Sequence, residues 1–478
     1  MAAFGISIGP DGSRPAAANP LAGITAVSAG GTSGGFTCGL TIEGGVKCWG
    51  DNFEGQLGNG TTTGSPVPVD VVGLDSGVAA VAAGGWHACA LMETGGVKCW
   101  GWNGTGQLGI GGDAPCSQGP CHSTTPVDVV GLETGVVAVE AGTHHTCAVM
   151  ETGGVKCWGW NYLGHLGDGT TTWRSTPVDV AGLDEPVTAL AGGYGHTCAL
   201  TASGGVKCWG SDYQEELGAE TSETCADFFT GLQFPCSLTP LDVVGLNSGV
   251  TSIASDGTHT CAVTLAGTVM CWGDNGDGEL GDGTTIRRPT PVDVCADAAC
   301  TEPLSGVAAV TAGLFRHTCA LMADSHVKCW GDNLRGALGD GSVEDRFVPV
   351  DVVTGRAGQL FSGVTALDAG GSHTCAVTEG GGASCWGSNC CGGPLGNGSY
   401  DLEPHPVPRP VVTGGQKTLQ GDVDCSDRVD SIDAVLVLQL GAALLDLLLC
   451  PEAADLNDDA AVDSVDASLI LQIVAGLL

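Results

Sequence analysis

From residue 24 to residue 412 the apolar residues come in short runs. Each run alternates or is rich in β-branched side chains, and each is closed off by Gly, Pro or Asn. That is the signature of half-buried strands rather than of helices. The first group of runs is Ile24–Ala29, Phe36–Thr41, Val46–Trp49 and Val67–Val72. The same group of four returns at about 78–130, 136–181, 187–244, 250–294, 307–353 and 364–412. Four antiparallel strands per repeat, written seven times, predict a mainly-β chain: a seven-bladed β-propeller of four-stranded antiparallel blades. Closing the ring removes the sheet edges that an open array would expose. The first run of each repeat, as in Val78 to Gly84, is made of small side chains, which suits a strand crowded against the axis. Ahead of the repeats, residues 1–23 form an N-terminal segment in which Phe4 to Ile8 reads as a strand and Pro10 to Pro20 as a loop.

The centre of each repeat is a hairpin, as in His196 to Gly210, with two cysteines at constant spacing and Trp-Gly after the second. The pairs are Cys38 and Cys48, Cys89 and Cys99, Cys147 and Cys157, Cys198 and Cys208, Cys261 and Cys271, Cys319 and Cys329, and Cys375 and Cys385. Glu43-Gly44-Gly45 and Thr94-Gly95-Gly96 supply the positive-φ positions of a tight turn. The cysteines then stand opposite one another, with Cα atoms about 4.5 Å apart in a non-hydrogen-bonded pair, within a disulfide's reach. Each bridge is expected to add up to ~2–3 kcal/mol. Seven metal sites are a poor alternative, because two sulfurs without a second pair nearby make a weak zinc site. Cys116/Cys121, Cys225/Cys236 and Cys295/Cys300 are expected to close loop insertions, and Cys425/Cys450 to pair in the tail. The adjacent Cys390 and Cys391 are candidates for a vicinal bridge.

Twenty-four cysteines at repeated spacing point to an oxidising compartment, extracellular or at the cell surface. The first residues lack the basic and apolar regions of a secretory signal. The expectation is that the signal was removed or that the sequence is a fragment. A net charge of −37 with only 16 basic residues argues against nucleic-acid phosphate and anionic membrane as partners. No apolar run reaches the ~18 residues of a spanning helix, so no membrane insertion is expected.

Aromatic residues are unevenly spread. In a four-stranded meander the first and third connections share a face. Those connections carry Phe53, Trp86, Trp102, Trp160, Tyr162, Trp173, Tyr194 and Tyr213, all in the first four repeats, and later mainly Phe315 and Phe347. Rings and disulfide-stiffened loops on one side suit a preorganised binding surface for a protein or glycan. Six histidines, His87, His145, His196, His259, His317 and His373, precede the first hairpin cysteine by two residues. A metal ring is the less favoured reading: one per blade at one strand position spreads them apart, each satisfied by local backbone. Phe36 at that position in the first repeat agrees with packing. Catalytic motifs are lacking, so no catalytic residue is assigned. The acidic pairs Asp184/Glu185 and Glu215/Glu216 read as solvated loop charges.

The recurring Gly-Gly-x-His-Thr-Cys-Ala-Leu and Gly-Gly-Val-Lys-Cys-Trp-Gly-x-Asn-x-x-Gly-Gln-Leu-Gly, clearest in Gly84–Gly109 and Gly142–Gly169, resembles the regulator-of-chromosome-condensation repeat. The resemblance covers about residues 24–412 and implies a seven-bladed propeller. The eukaryotic type member is a nuclear exchange factor for a small GTPase, and secreted bacterial relatives include protein-binding inhibitors. The cross-strand cysteines and the acidity depart from the nuclear type.

After a polar linker, residues 413–420, one loop–helix unit is written twice. A calcium loop draws oxygens from positions 1, 3, 5, 7, 9 and 12. The first loop offers Asp422, Asp424, Ser426, the Arg428 carbonyl, Asp430 and Asp433, and leads into an apolar helical run, Ala434–Leu440. The second offers Asp455, Asn457, Asp459, the Ala461 carbonyl, Asp463 and Asp466. Two Ca2+ sites are therefore expected, weakened by Asp427 and Ala460 where a glycine would make the sharp turn. The duplication resembles a type I dockerin over residues 421–478, which implies a small all-α, paired EF-hand-type domain. Docking onto a cohesin-like domain of a scaffold is implied too, with Ser431, Ile432, Ser464 and Val465 at the family's recognition positions. Together these features predict a secreted, non-enzymatic binding protein whose tail anchors it in a calcium-dependent way. The competing expectations are a glycan-hydrolysing component of a cellulosome-like complex and a guanine-nucleotide exchange factor.

Overall fold

A computed structural model describes residues 20–32, 34–112, 121–226, 231–355, 359–390 and 392–413. Ala22–Val411 is one compact unit. It holds seven antiparallel sheets whose innermost strands neighbour one another in a closed cycle. In blade 1 the order is β1 (Ile24–Gly30), β2 (Phe36–Thr41), β3 (Val46–Gly50) and β4 (Ser65–Asp70), from the axis outward. Blades 2 to 7 begin at Val78, Val136, Val187, Val250, Val307 and Val364. In the second compact unit, Pro20 and Val412 form an antiparallel bridge.

Two strand expectations are corrected. β4 starts and ends two residues earlier than its apolar run. Pro66 and Pro68 have no N–H to give, which only an outermost strand tolerates, and Ser65 Oγ donates to the Val67 carbonyl at 2.7 Å. Val71 has already left the strand and is buried, its N–H donating to the Val46 carbonyl. Blade 4 has five strands rather than four, because its insertion folds back as Glu223–Ala226 against Gln233–Asp242. The Cys225–Cys236 bridge holds that added hairpin.

The seven hairpin pairs are all disulfides, with Cα atoms 4.0–4.1 Å apart. Cys295–Cys300 closes the blade 5 insertion. The expected Cys116–Cys121 bridge would close the blade 2 insertion, of which Cys121 is the described end. Cys121 is half-buried, immediately before the outer strand of blade 2 (His122–Asp128), and its carbonyl accepts the Asn103 N–H at 2.7 Å. That backbone bond, across the base of the insertion, ties the loop's end to the blade. Cys116 lies outside the described residues, and so does the expected pairing. The same holds for the vicinal pair, where Cys390 is described and Cys391 is not. Cys425, Cys450, the proposed strand Phe4–Ile8, both calcium loops and the helices after them also lie outside the described residues. In the hairpin turn only the first glycine, Gly44 (φ 75°), is left-handed. A Cβ on Gly45 would stand 2.6 Å from the Asp75 carbonyl oxygen, so the second glycine permits a close approach instead.

Packing explains the remaining repeated letters. The hydrophobic core is not central. It is a series of layers between facing blades, such as Leu40, Val46, Leu57 and Val78 with Ala90 and Trp100. The seven hairpin tryptophans, Trp49, Trp100, Trp158, Trp209, Trp272, Trp330 and Trp386, are fully buried. Each indole N–H donates to a carbonyl of the preceding blade, in order Pro394, Gln56, Gln107, His165, Glu216, Glu279 and Ala337, at 2.8–2.9 Å. The glycine two residues after each of these carbonyls leaves room for that ring: a Cβ on Gly58 would lie 2.9 Å from Trp100 Nε1.

The sequence leads one to expect the histidines to be satisfied by local backbone, and this is corrected. Each is bonded through Nε2 to a threonine of the next blade. The pairs are His87–Thr146, His145–Thr197, His196–Thr260, His259–Thr318, His317–Thr374 and His373–Thr37, at 2.8–3.0 Å. Thr146 Oγ1 itself donates to the Gln107 carbonyl at 2.9 Å, so His87 supplies the proton between them and its Nδ1 is left bare. Burial holds these six rings neutral, their pKa values pushed down to about 3 or 4. The seam from blade 7 to blade 1 carries the same histidine and tryptophan bonds as every other seam but that between blades 1 and 2, which has only the tryptophan bond of the two, and among the described residues no strand is exchanged between the first and last blades.

Candidate functional site

The first connections of blades 2, 3 and 4 bring Trp86, His144 and Tyr194 to one face; Trp102, the last residue of the third strand of blade 2, and Trp160, Tyr162 and Trp173 of the third connection of blade 3 stand beside them. They form one cluster. His144 is its hub, edge-on to Trp86 (6.1 Å between centroids), Trp102 (5.5 Å), Trp160 (5.0 Å) and Tyr194 (5.8 Å). Trp86 meets Trp102 at 5.5 Å, Trp160 meets Tyr162 at 5.9 Å, and Tyr162 meets Trp173 at 4.6 Å. Edge-to-face contacts of this kind hold rings in defined orientations. Below the surface, His165 stacks on Trp160 at 4.9 Å, and its carbonyl takes the Trp209 N–H. The cluster is thereby tied into the seam between blades 3 and 4.

The cluster rings are half-buried, apart from Tyr194, which is exposed. Burial pushes the His144 imidazole down to about 4, so the patch is uncharged near neutrality. The Trp86 indole donates to Thr32 Oγ1 of blade 1, which fixes its outer edge. Two of the aromatic residues expected here lie apart. Tyr213 packs on Phe234 of the blade 4 insertion at 4.8 Å, and Phe53 projects from blade 1, 76 % exposed. His144 was hidden from sequence reasoning by its neighbour His145, which carries the repeated role. The signal was its position: it stands where blade 2 has Trp86, one residue before the repeated histidine.

Glu216, read as a solvated loop charge, is buried, and Glu279 is buried in the same way. Glu216 and Glu279 stand where the repeat has glutamine, each buried, each accepting a backbone N–H two residues earlier in its own turn (Gln214 at 2.5 Å, Asp277 at 2.8 Å). Burial raises them to about 8 and about 7. Asp184 is exposed and pairs with Lys207 at 3.2 Å.

The axial channel encloses about 200 Å³ and is lined by Glu140, Asp256 and Asp368 among small residues. Glu140 and Asp368 occupy the fifth position of their inner strands, as do Ser28 and Thr311. Each of these four side chains accepts an N–H from the next blade: Gly192, Ala29, Ala83 and Ala369 respectively, at 2.8–3.3 Å. They are straps across seams. Desolvation and mutual repulsion raise Glu140 and Asp256 to about 8, and burial raises Asp368. Among the described residues no group of three His, Cys, Asp or Glu side chains is disposed to hold a metal ion, and no helix is long and apolar enough to cross a membrane.

This architecture has relatives. The family model described as the RCC1-like domain matches residues 8–313, and the regulator of chromosome condensation (RCC1) repeat matches 307–337, 364–392 and 324–377. The ultraviolet-B receptor UVR8 of Arabidopsis thaliana is 30 % identical over 66 % of this chain and 68 % of its own length. The human E3 ubiquitin-protein ligase HERC2 is 31 % identical over 71 % of this chain, but over only 7 % of its own length. Among solved structures, Prp20p of Saccharomyces cerevisiae superposes with a TM-score of 0.62 at 22 % identity, covering 80 % of this chain and 88 % of that one, which speaks to the fold alone. With its repeated hairpins and closed seven-fold ring, the chain belongs to the RCC1-like domain family.

Proposed function

We propose that this chain is a non-enzymatic binding module whose propeller takes a protein or glycan partner on the aromatic face of blades 2–4. The observation that carries the reading is the single cluster around His144, uncharged, partly open, and anchored from below by His165. Large rings that are already oriented lose little freedom on binding, which is the property of an interface hot spot. Solved structures of Prp20p are described with its binding to Gsp1p and histones and with Kap60. A partner-binding role for this ring is in keeping with that. The test is substitution of Trp102 and Tyr162 by Ala. Binding of the partner should be lost while the circular dichroism and unfolding transition stay those of the parent. Unchanged binding sinks the proposal.

The proposal extends to secretion and to the tail. Nine disulfides among the described residues suit an oxidising compartment. The two twelve-residue acidic loops, Asp422–Asp433 and Asp455–Asp466, support calcium-dependent attachment to a cohesin-like domain. A pull-down with the full chain from the producer's secreted fraction, with and without chelator, tests it. A cohesin-bearing protein held only in calcium is the expected result. Capture indifferent to chelation would remove the anchoring role.

A further inference from the structure

Beyond Thr32 from the aromatic patch, the first connections of blades 1, 6 and 7 and the third connections of blades 6 and 7 enclose a second cavity, of about 270 Å³. Its wall carries Thr32, Phe315, Arg335, Ser372, Ser388 and Pro394. No carboxylate lines it among the described residues. That is unusual in a chain with 53 acidic and 16 basic residues. The other arginines of blades 3, 5 and 6 are held by aspartates: Arg174 by Asp168, Arg287 by Asp274, Arg288 by Asp282, Arg316 by Asp274 and Asp277, and Arg346 by Asp340. Arg335 makes no ion pair among the described residues, and it is exposed at the cavity. His373, also in the wall, is neutral. The cavity therefore presents one positive charge.

The surroundings are rigid. The turn that bears Arg335 is locked by buried Asn333, whose Nδ2 donates to the carbonyls of Ser342 and Glu344 at 3.1 and 3.0 Å, while its Oδ1 takes the Leu338 N–H. Phe315 is 42 % exposed, and its N–H donates to the Gly371 carbonyl of blade 7 at 3.1 Å. The Ser388 N–H donates to the Ser372 carbonyl at 2.9 Å, which sets the two hydroxyl-bearing residues side by side.

We propose that this cavity is a binding site for a monocarboxylate sugar, a uronate. A guanidinium fork matches one carboxylate through two parallel hydrogen bonds. One positive charge in a strongly acidic chain suits a single negative charge better than a phosphate dianion. The hydroxyls of Ser372 and Ser388 match a polyhydroxylated ring, and the open face of Phe315 gives the ring's C–H side an apolar wall. The volume, just below that of drug-sized pockets, suits one ring. The site meets the aromatic patch at Thr32, which accepts the Trp86 indole N–H, but its recognition groups, Arg335, Phe315, Ser372 and Ser388, are not part of that patch.

The experiment is calorimetric titration of the full chain with D-galacturonate, D-galactose and an acidic tetrapeptide. Galacturonate should bind saturably, galactose at least tenfold more weakly, and Arg335→Gln should weaken galacturonate at least tenfold. Arg335 is exposed, so that variant should keep the parent's unfolding transition; Phe315→Ala, a second variant, should weaken both sugars together. Tyr162→Ala, whose ring touches Trp160 and Trp173 and neither Trp86 nor the cavity wall, should leave galacturonate binding unchanged, which separates this site from the partner face. No binding of galacturonate, equal binding of both sugars, indifference to Arg335→Gln, or Arg335-dependent binding of the peptide in preference to the sugar would each overturn the proposal.

Discussion

Phe36 and Ala88 stand, at the seam between blades 1 and 2, in the two positions that hold histidine and threonine at the other six seams. Both are fully buried in one apolar layer. The polar latch has been replaced on both sides at once, which avoids stranding either partner. Removing one member of a buried hydrogen-bonded pair costs the desolvation of the other, whereas replacing both is close to neutral.

Phe36→His alone should therefore destabilise the ring by ~1–3 kcal/mol, the cost of a buried group without its partner. Adding Ala88→Thr should recover most of that loss. Denaturant midpoints of the two variants check it, and a double variant no better than the single would show that this seam cannot accept the latch.

His144→Ala should loosen the aromatic patch without opening the seams, because its ring contacts lie on the surface side of His165. Edge-to-face pairs contribute ~0.5–1.5 kcal/mol each, so a lower unfolding midpoint of that order is expected. Partner binding should fall as it does for Trp102→Ala. Binding at the parent's level would mean that the outer rings are held by their loops alone.

The pH dependence follows from two sets of buried groups with opposite signs. The six latch histidines have folded pKa values of about 3 to 4, below the ordinary 6.5. Their contribution is present above 6.5 and is lost as pH falls through the folded values. Glu140, Asp256 and Glu216 are raised to about 8, so their contribution is present below the ordinary carboxylate range and is lost as pH rises through about 8. Stability should be broadly level in mild acid and fall on either side. Glu140→Gln keeps the acceptor for the Gly192 N–H and removes one titrating group. It should flatten the alkaline limb by up to ~1.4 kcal/mol per pH unit and leave the acid limb alone. Thermal melts from about pH 2.5 to about pH 9 read both limbs.

Removing one hairpin bridge, Cys198→Ala with Cys208→Ala, should cost up to ~2–3 kcal/mol under oxidising conditions, read as a lower denaturant midpoint than the parent's. After full reduction the two proteins should differ little. A variant as stable as the parent before reduction would show that tryptophan and histidine latches alone set the ring's strength.

The blade number, the hairpin turns and the hairpin cysteine pairs were legible because each is a local matter of period and spacing. β4 was misplaced because Pro66 and Pro68 break the apolar pattern that marks a strand. The fifth strand of blade 4 was missed because Phe234 and Pro235 lie in what reads as a bridged loop. The latches were missed for a different reason: His196 and Thr260 are in contact but 64 residues apart, and a single repeat does not show which of its polar residues serves the next one. Glu216 looked like a surface charge because its role, inherited from glutamine, is to cap a turn from within. The aromatic face was legible in outline, but its hub was not, since the pattern drew attention to His145.

That no strand is exchanged at the closing seam among the described residues bears on how the ring can be cut. Many closed rings need their first and last segments woven together, which gives the polypeptide one obligatory order. Here each blade is a continuous piece of chain, and all seven junctions carry the same tryptophan bond. The ring has no preferred starting point. A circular permutant that joins residues 411 and 22 through a short linker and opens the chain at the exposed turn Asn247-Ser248 would keep every junction, and whole blades can serve as the units in which such a protein is lengthened, shortened or recombined.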